Sequence, residues 1–198
     1  MKWCINISVF CILTLAFFFA GCEDQKYEID YQNGYPNKLA GNWIAVDYQL
    51  SRNNYFMVID TINDFDLSNS QEFSRFASLL EITSASGDYD MATALDPNNA
   101  ANLILNNLYN SGVRTRAGII DKYIDVRLSE QLDLINHGGY GIAYVSVSGQ
   151  LAEKTEGDVL YLIVGLFDNN KALFDAVIIE AFRKTGFEDT DYQSLLGK

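Results

Sequence analysis

The second half of the chain restricts its fold more than any other part. Four apolar or alternating runs follow one another there, IIDKYIDVRLS (119–129), YGIAYVSVSGQLA (140–152), DVLYLIVGLF (158–167) and LFDAVIIEAFRK (173–184). The pieces NHGG, EKTEGD and DNNK between them are turn-rich. Runs of this length, full of β-branched and aromatic residues and bounded by Gly, Asn and Asp, read as strands. The last run also fits a helix, since Leu173, Phe174, Val177, Ile178, Ala181 and Phe182 share a helical face. Its short link through Asp168-Asn169-Asn170-Lys171 to a near-continuous strand favours a hairpin.

Upstream, NWIAVDYQLS (42–51) sets Ile44, Val46, Tyr48 and Leu50 on one face and Trp43, Ala45, Asp47 and Gln49 on the other, the period-two pattern of a strand. YFMVIDTI (55–62) follows the polar gap Arg52-Asn53-Asn54 and is expected to return as the second strand of a hairpin. The middle is ambiguous. Phe73, Phe76, Ala77 and Leu80 fit a helical face, while FASLLEITSA (76–85) also fits an extended segment. Ala100 to Asn110 alternates, and its asparagines, weak helix formers, tip it toward strand despite the helix-start look of Asp96-Pro97. Seven to nine strands, few helices and no internal repeat imply an antiparallel barrel or sandwich. A closed barrel of about eight strands has an interior that side chains fill or that holds one small ligand, as in lipocalins. The expected fold is an all-β, antiparallel lipocalin-like barrel of about eight strands.

The N-terminus speaks to location. Val9 to Ala20 is apolar apart from Thr14 and follows a lone Lys2. It is too short for a membrane span, which needs about 20 residues, and has the proportions of a secretory signal core. Phe19-Ala20-Gly21-Cys22 resembles a bacterial lipobox, with Phe19 where Leu is usual. In a lipobox the cysteine is acylated and becomes residue one of the mature chain; an ordinary signal peptide with a free or buried cysteine is the other reading. Cys4 and Cys11 fall before the cut and no cysteine follows Cys22, so a mature chain would have neither a disulfide nor a thiolate zinc site. Two or three acyl chains, at about 0.8 kcal/mol per buried methylene, make a stable anchor. The expected organisation is a signal peptide over 1–21, an acylated N-terminus and polar tether over 22–38, and the barrel domain over 39–198.

Loss of residues 1–21 removes Lys2 and no acid, which leaves 13 basic and 26 acidic residues and a formal charge of −13. Such a surface excludes nucleic acid as a partner and disfavours an anionic lipid face. Glu23, Asp24, Glu28 and Asp30 resemble the acidic signal that sends Bacteroidetes lipoproteins to the outer face of the outer membrane, although a solvated tether would look similar. The expected location is the outer membrane, at the cell surface in preference to the periplasmic face.

The opening LAGNWIAVDY (39–48) and the closing EAFRKTGFEDTDYQ (180–193) resemble a Bacteroidetes lipoprotein family described as lipid-binding hydrolases. In that family a Gly-Glu-Trp-like entry to the first strand and a closing Tyr-Arg-Arg-Thr-Gly-Phe-like strand bracket a calycin-type barrel. The matching residues are Gly41-Asn42-Trp43 and Phe182-Arg183-Lys184-Thr185-Gly186-Phe187. The resemblance spans the domain in order and length, its sharp motifs cover about 20 residues, and it carries over no catalytic set.

Machinery for nucleophilic catalysis is thin. The chain has no G-x-S-x-G elbow, and its one histidine, His137, sits in the turn-like NHGG. The paired carboxylates Asp64/Asp66, Asp88/Asp90 and Asp189/Asp191 have the spacing that puts both side chains on one face of a strand, suited to glycoside hydrolysis or calcium, but each lies near a predicted turn and none continues into an EF-hand loop. Trp43 is read as closing the bottom of the barrel, with a ligand platform as the other reading. No metal or cofactor is expected. The leading functional expectation is a lipid-anchored envelope protein holding an apolar or amphipathic small molecule in a cavity of at least roughly 300 Å³. A carboxylate-dependent hydrolase is one alternative, and an accessory subunit with an outer-membrane protein partner is the other.

Overall fold

A computed structural model describes residues 35–80, 86–110, 112–130, 136–137 and 140–184. Cys22, Asp189, Asp191 and the closing Thr185-Gly186-Phe187 lie outside them. The short helix α1 (Tyr35–Leu39) leads into β1 (Gly41–Gln49), then come α2 (Arg52–Val58), a 3₁₀ turn (Ile62–Asp64) and α3 (Ser70–Ser78). The strands β2 (Tyr89–Asp96), β3 (Asn99–Leu108), β4 (Val113–Ile120) and β5 (Tyr123–Glu130) follow. A small hairpin of β6 (Asn136–His137) and β7 (Tyr140–Gly141) then precedes β8 (Tyr144–Ala152), β9 (Val159–Phe167) and β10 (Leu173–Arg183). Eight strands close into a barrel in the order β1-β10-β9-β8-β5-β4-β3-β2, with every pair antiparallel. The all-β lipocalin-like fold is thus observed, and β9 and β10 form the expected hairpin.

Two expectations are corrected. YFMVIDTI does not return as a strand: Tyr55, Val58 and Ile62 are buried at helical spacing, while Phe56 and Met57 face solvent. The polar gap before it is the first turn of α2, where Ser51 accepts from the Asn54 N–H as N-cap. IIDKYIDVRLS is not one strand but the end of β4 and the start of β5, folded over Asp121-Lys122 with Asp121 at φ 54°, left-handed geometry that Asp tolerates. Of the ambiguous segments, α3 takes the helical option with Asn69 accepting from the Gln71 and Glu72 N–H groups, and Ala100 to Leu108 is strand. Tyr35 to Lys38, placed in the tether by sequence, form most of α1; the Lys38 ammonium meets Glu153 at 2.6 Å.

Alternation divides the apolar residues between two cores. One fills the barrel and includes Trp43, Met91, Leu105, Ile124, Val147, Leu162 and Ile179. The other lies outside β8, β9 and β10, under α2, the 3₁₀ turn and α3, and includes Tyr55, Val58, Ile62, Phe76, Tyr161 and Ile163. Strand β9 is buried on both faces, which is why DVLYLIVGLF shows no alternation. Gln150 fastens the outer layer: its side chain accepts from the Leu67 N–H at 3.2 Å and donates to the carbonyls of Ile62 at 2.8 Å and Phe65 at 2.6 Å.

Candidate functional site

The inward face of β1 runs from Trp43 through Ala45 to Asp47 and Gln49, so one strand carries an apolar plug at one end of the barrel and polar groups at the other. At the plugged end Trp43 is fully buried, its indole N–H donates to Thr93 Oγ1 at 2.8 Å, and the Arg183 guanidinium lies 4.2 Å from its ring centre. Arg183 also pairs with Asp158 at 3.2 Å and donates to the carbonyls of Ala40, at 3.1 Å, and Lys38. Helix α1 is thereby held across this end, and Trp43 closes the core as its place on the first strand leads one to expect. Between the ends, Leu103, Leu105, Ile124, Val145, Val147, Leu160, Leu162, Val164 and Ile179 have no exposed surface, so no water-sized space touches them. The described depth of the barrel is filled.

The mouth lies roughly 13 Å further along β1, four residues at the rise of a strand. Asp47 is only 6% exposed there and accepts a short hydrogen bond from the Tyr89 hydroxyl. Asp175, on β10, accepts from the Tyr109 hydroxyl at 2.5 Å and from Gln49 Nε2 at 2.5 Å. Burial pushes the Asp47 carboxyl up from 3.8 to about 6; the Tyr89 bond pulls against the shift and the charge of Asp175 adds to it. The Tyr89 and Tyr109 phenols are pushed well above their ordinary value, first by burial and then by the carboxylates they face. Both tyrosines therefore remain hydrogen-bond donors.

Local backbone geometry brings Tyr109 into this set. The β3–β4 ladder slips between Leu105 and Leu108, and Asn107, Tyr109 and Asn110 adopt positive φ of 60°, 61° and 44°. A tyrosine in this conformation costs on the order of 1–3 kcal/mol and persists only where its surroundings hold it. Asn107 does so by donating to the Asp90 carbonyl at 2.5 Å and accepting from the Gly112 N–H at 2.8 Å. The backbone amides of Tyr109 and Asn110 oppose the rise of the Tyr89 phenol, which links the bend to the Asp47 pair. A bulge that re-aims one side chain toward a site is a recurrent device of barrel rims.

The residues singled out from sequence are not brought together. Asp64 belongs to the 3₁₀ turn, and Asp66 accepts from Ser68 and pairs with Lys122 at 3.2 Å on the outer surface. Asp88 precedes β2, and Asp90 on that strand pairs with Lys184 at 2.6 Å. His137 lies in β6, opposite Tyr140. Among the described residues no three His, Cys, Asp or Glu gather as a metal ion would require, and no helix is long and apolar enough to cross a membrane. Alternation places Asp47 and Gln49 on the Trp43 face of β1; Tyr89 joins them by the pairing of β2 with β1, Tyr109 by the slip in β3, and Asp175 by closure of β10 against β1. Comparison with protein-family models, curated proteins and solved structures finds no match.

Proposed function

We propose that this protein is a lipid-anchored component of the cell envelope, acylated on Cys22 at the outer membrane, that holds an apolar or amphipathic small molecule at its barrel mouth. The observation that carries the reading is the set of Asp47, Gln49, Tyr89, Tyr109 and Asp175 at one end of a barrel whose described interior is filled and mostly apolar. The buried Asp47–Tyr89 pair and the strained backbone at Tyr109 have a stability cost that a binding role accounts for. The set presents phenol and amide donors beside two carboxylates, so a guest with a hydroxyl or amine head fits it better than one with an anionic head. The resemblance to lipid-binding envelope lipoproteins agrees with this reading. Native mass spectrometry of the protein extracted from membranes tests it: a co-purifying molecule that is lost from Asp175→Ala supports it. A chain that carries nothing and takes up no amphiphile leaves the accessory-subunit reading in its place.

A hydrolase is favoured by one further observation, the raised Asp47 carboxyl beside a second carboxylate. Two neighbouring acids whose environments differ can divide the roles of general acid and general base. Asp47 would then give a proton to the leaving group while Asp175 directs water. Turnover abolished in Asp47→Asn with binding retained would distinguish this reading from simple binding.

A further inference from the structure

A second concavity lies on the outside of the barrel, between α2 and the outer faces of β5, β8 and β9. It has a volume of about 200 Å³ and is lined by Tyr55, Phe56, Ile59, Asp60, Asp125, Ser146 and Phe167. Three of these are aromatic and set nearly at right angles: Tyr55 to Phe56 at 5.3 Å and 78°, and Tyr55 to Phe167 at 6.0 Å and 69°. Phe56 is 63% exposed, an unusual position for a large apolar ring. Tyr55 is seated by Gly165, where a Cβ would come within 2.6 Å of its ring. Burial pushes the Tyr55 phenol up, with the charge of Asp60 adding to the rise and the Ser146 hydroxyl bond opposing it, so the ring stays neutral.

We infer that this cleft binds a substituted ammonium group, with the exposed Phe56 ring as its aromatic wall, Tyr55 and Phe167 packed behind it, and the Asp125 carboxylate as its counter-charge. Aromatic faces attract cations through the ring quadrupole. The volume is below the roughly 300 Å³ of a drug-sized pocket and suits a headgroup of a few heavy atoms. Among the described residues no Lys or Arg lines the cleft, and the acidic chain concentrates cations around it. The site is separate from the barrel mouth and does not depend on what binds there.

The test is titration of the full chain, kept in a sugar-headed detergent, with tetramethylammonium chloride and with choline, against sodium chloride at matched ionic strength. Saturable binding is expected, weakened at least about fivefold by Phe56→Ala and several-fold by Asp125→Asn. Because Phe56 is mostly exposed, the variant keeps its fold, which a thermal melt verifies. The neutral choline isostere 3,3-dimethylbutanol should bind far more weakly. Phosphatidylcholine vesicles form a further arm: capture that depends on Phe56 would assign the cation to a lipid headgroup, and binding of free choline alone would assign it to a soluble ligand. Absence of saturation above the sodium control, equal binding of the neutral isostere, or a Phe56→Ala variant that binds like its parent would overturn the proposal.

Discussion

The Arg183 guanidinium lies 4.2 Å from the centre of the Trp43 ring and ties the last strand of the barrel to the first. Its remaining donors go to Asp158 and to two carbonyls of the segment that enters β1. Arg183→Ala therefore removes a cation–π contact, an ion pair and the clasp on α1 together, and leaves Asp158 without this partner. The expected loss is about 3 kcal/mol, the scale for breaking a buried ion pair, read as a lower denaturant midpoint. Arg183→Lys should recover only part of it, because an ammonium cannot serve the three directions of the guanidinium fork.

The outer layer should come loose separately. Gln150→Leu leaves the Leu67 N–H and the Ile62 and Phe65 carbonyls without their side-chain partner. A buried group left unsatisfied costs about 1–3 kcal/mol. Hydrogen exchange should accelerate between residues 59 and 69, while β9, buried on both faces, keeps its protection. Equal acceleration in both would show that the two layers unfold as one.

Much of this architecture is written locally and some is not. DVLYLIVGLF and LFDAVIIEAFRK announce a hairpin because apolar length, turn residues and strand composition agree. The β1 alternation likewise puts Trp43, Asp47 and Gln49 on one face by its period alone. Segment 55–62 misleads because its aromatic and β-branched residues favour strand, whereas burial of Tyr55, Val58 and Ile62 against the outer wall rewards a helix; tertiary packing overrides local preference. The mouth is legible only in part. Asp175 and Tyr109 are 66 positions apart, and their meeting depends on closure of β1 against β10 and on the slip in β3, neither of which has a local signature.

Asp47 gives a pH dependence of defined sign. In the folded protein it holds its proton up to about pH 6, whereas the unfolded chain releases it near 3.8. Between these values the folded state binds more protons, so the stability owed to Asp47 is complete below about pH 4 and is lost as the pH rises through 6. The loss is at most about 3 kcal/mol. Asp47→Asn keeps an acceptor for Tyr89 without the charge; it should match its parent near pH 3.5 and be the more stable of the two at pH 7.5. Denaturation of both proteins across this range checks the difference.

Gly165 is needed for the seat of Tyr55, since a Cβ at that position would meet the ring at 2.6 Å. Gly165→Ala should force the ring and α2 outward at a cost of about 1–3 kcal/mol. Near-ultraviolet circular dichroism should show the altered tyrosine environment, and an unchanged spectrum and melting temperature would mean that α2 yields without strain.

The most direct test of binding at the mouth is fluorescence titration of the full chain with N-phenyl-1-naphthylamine, an uncharged amphipathic amine. Saturable uptake at one site is expected, with a negative heat-capacity change. Asp175→Ala and Tyr109→Phe should weaken uptake several-fold. Ile120→Ser, a 73% exposed position at the plugged end, should leave it unchanged. Uptake that does not saturate, or that is the same in all four proteins, would mean that the mouth is not a binding site.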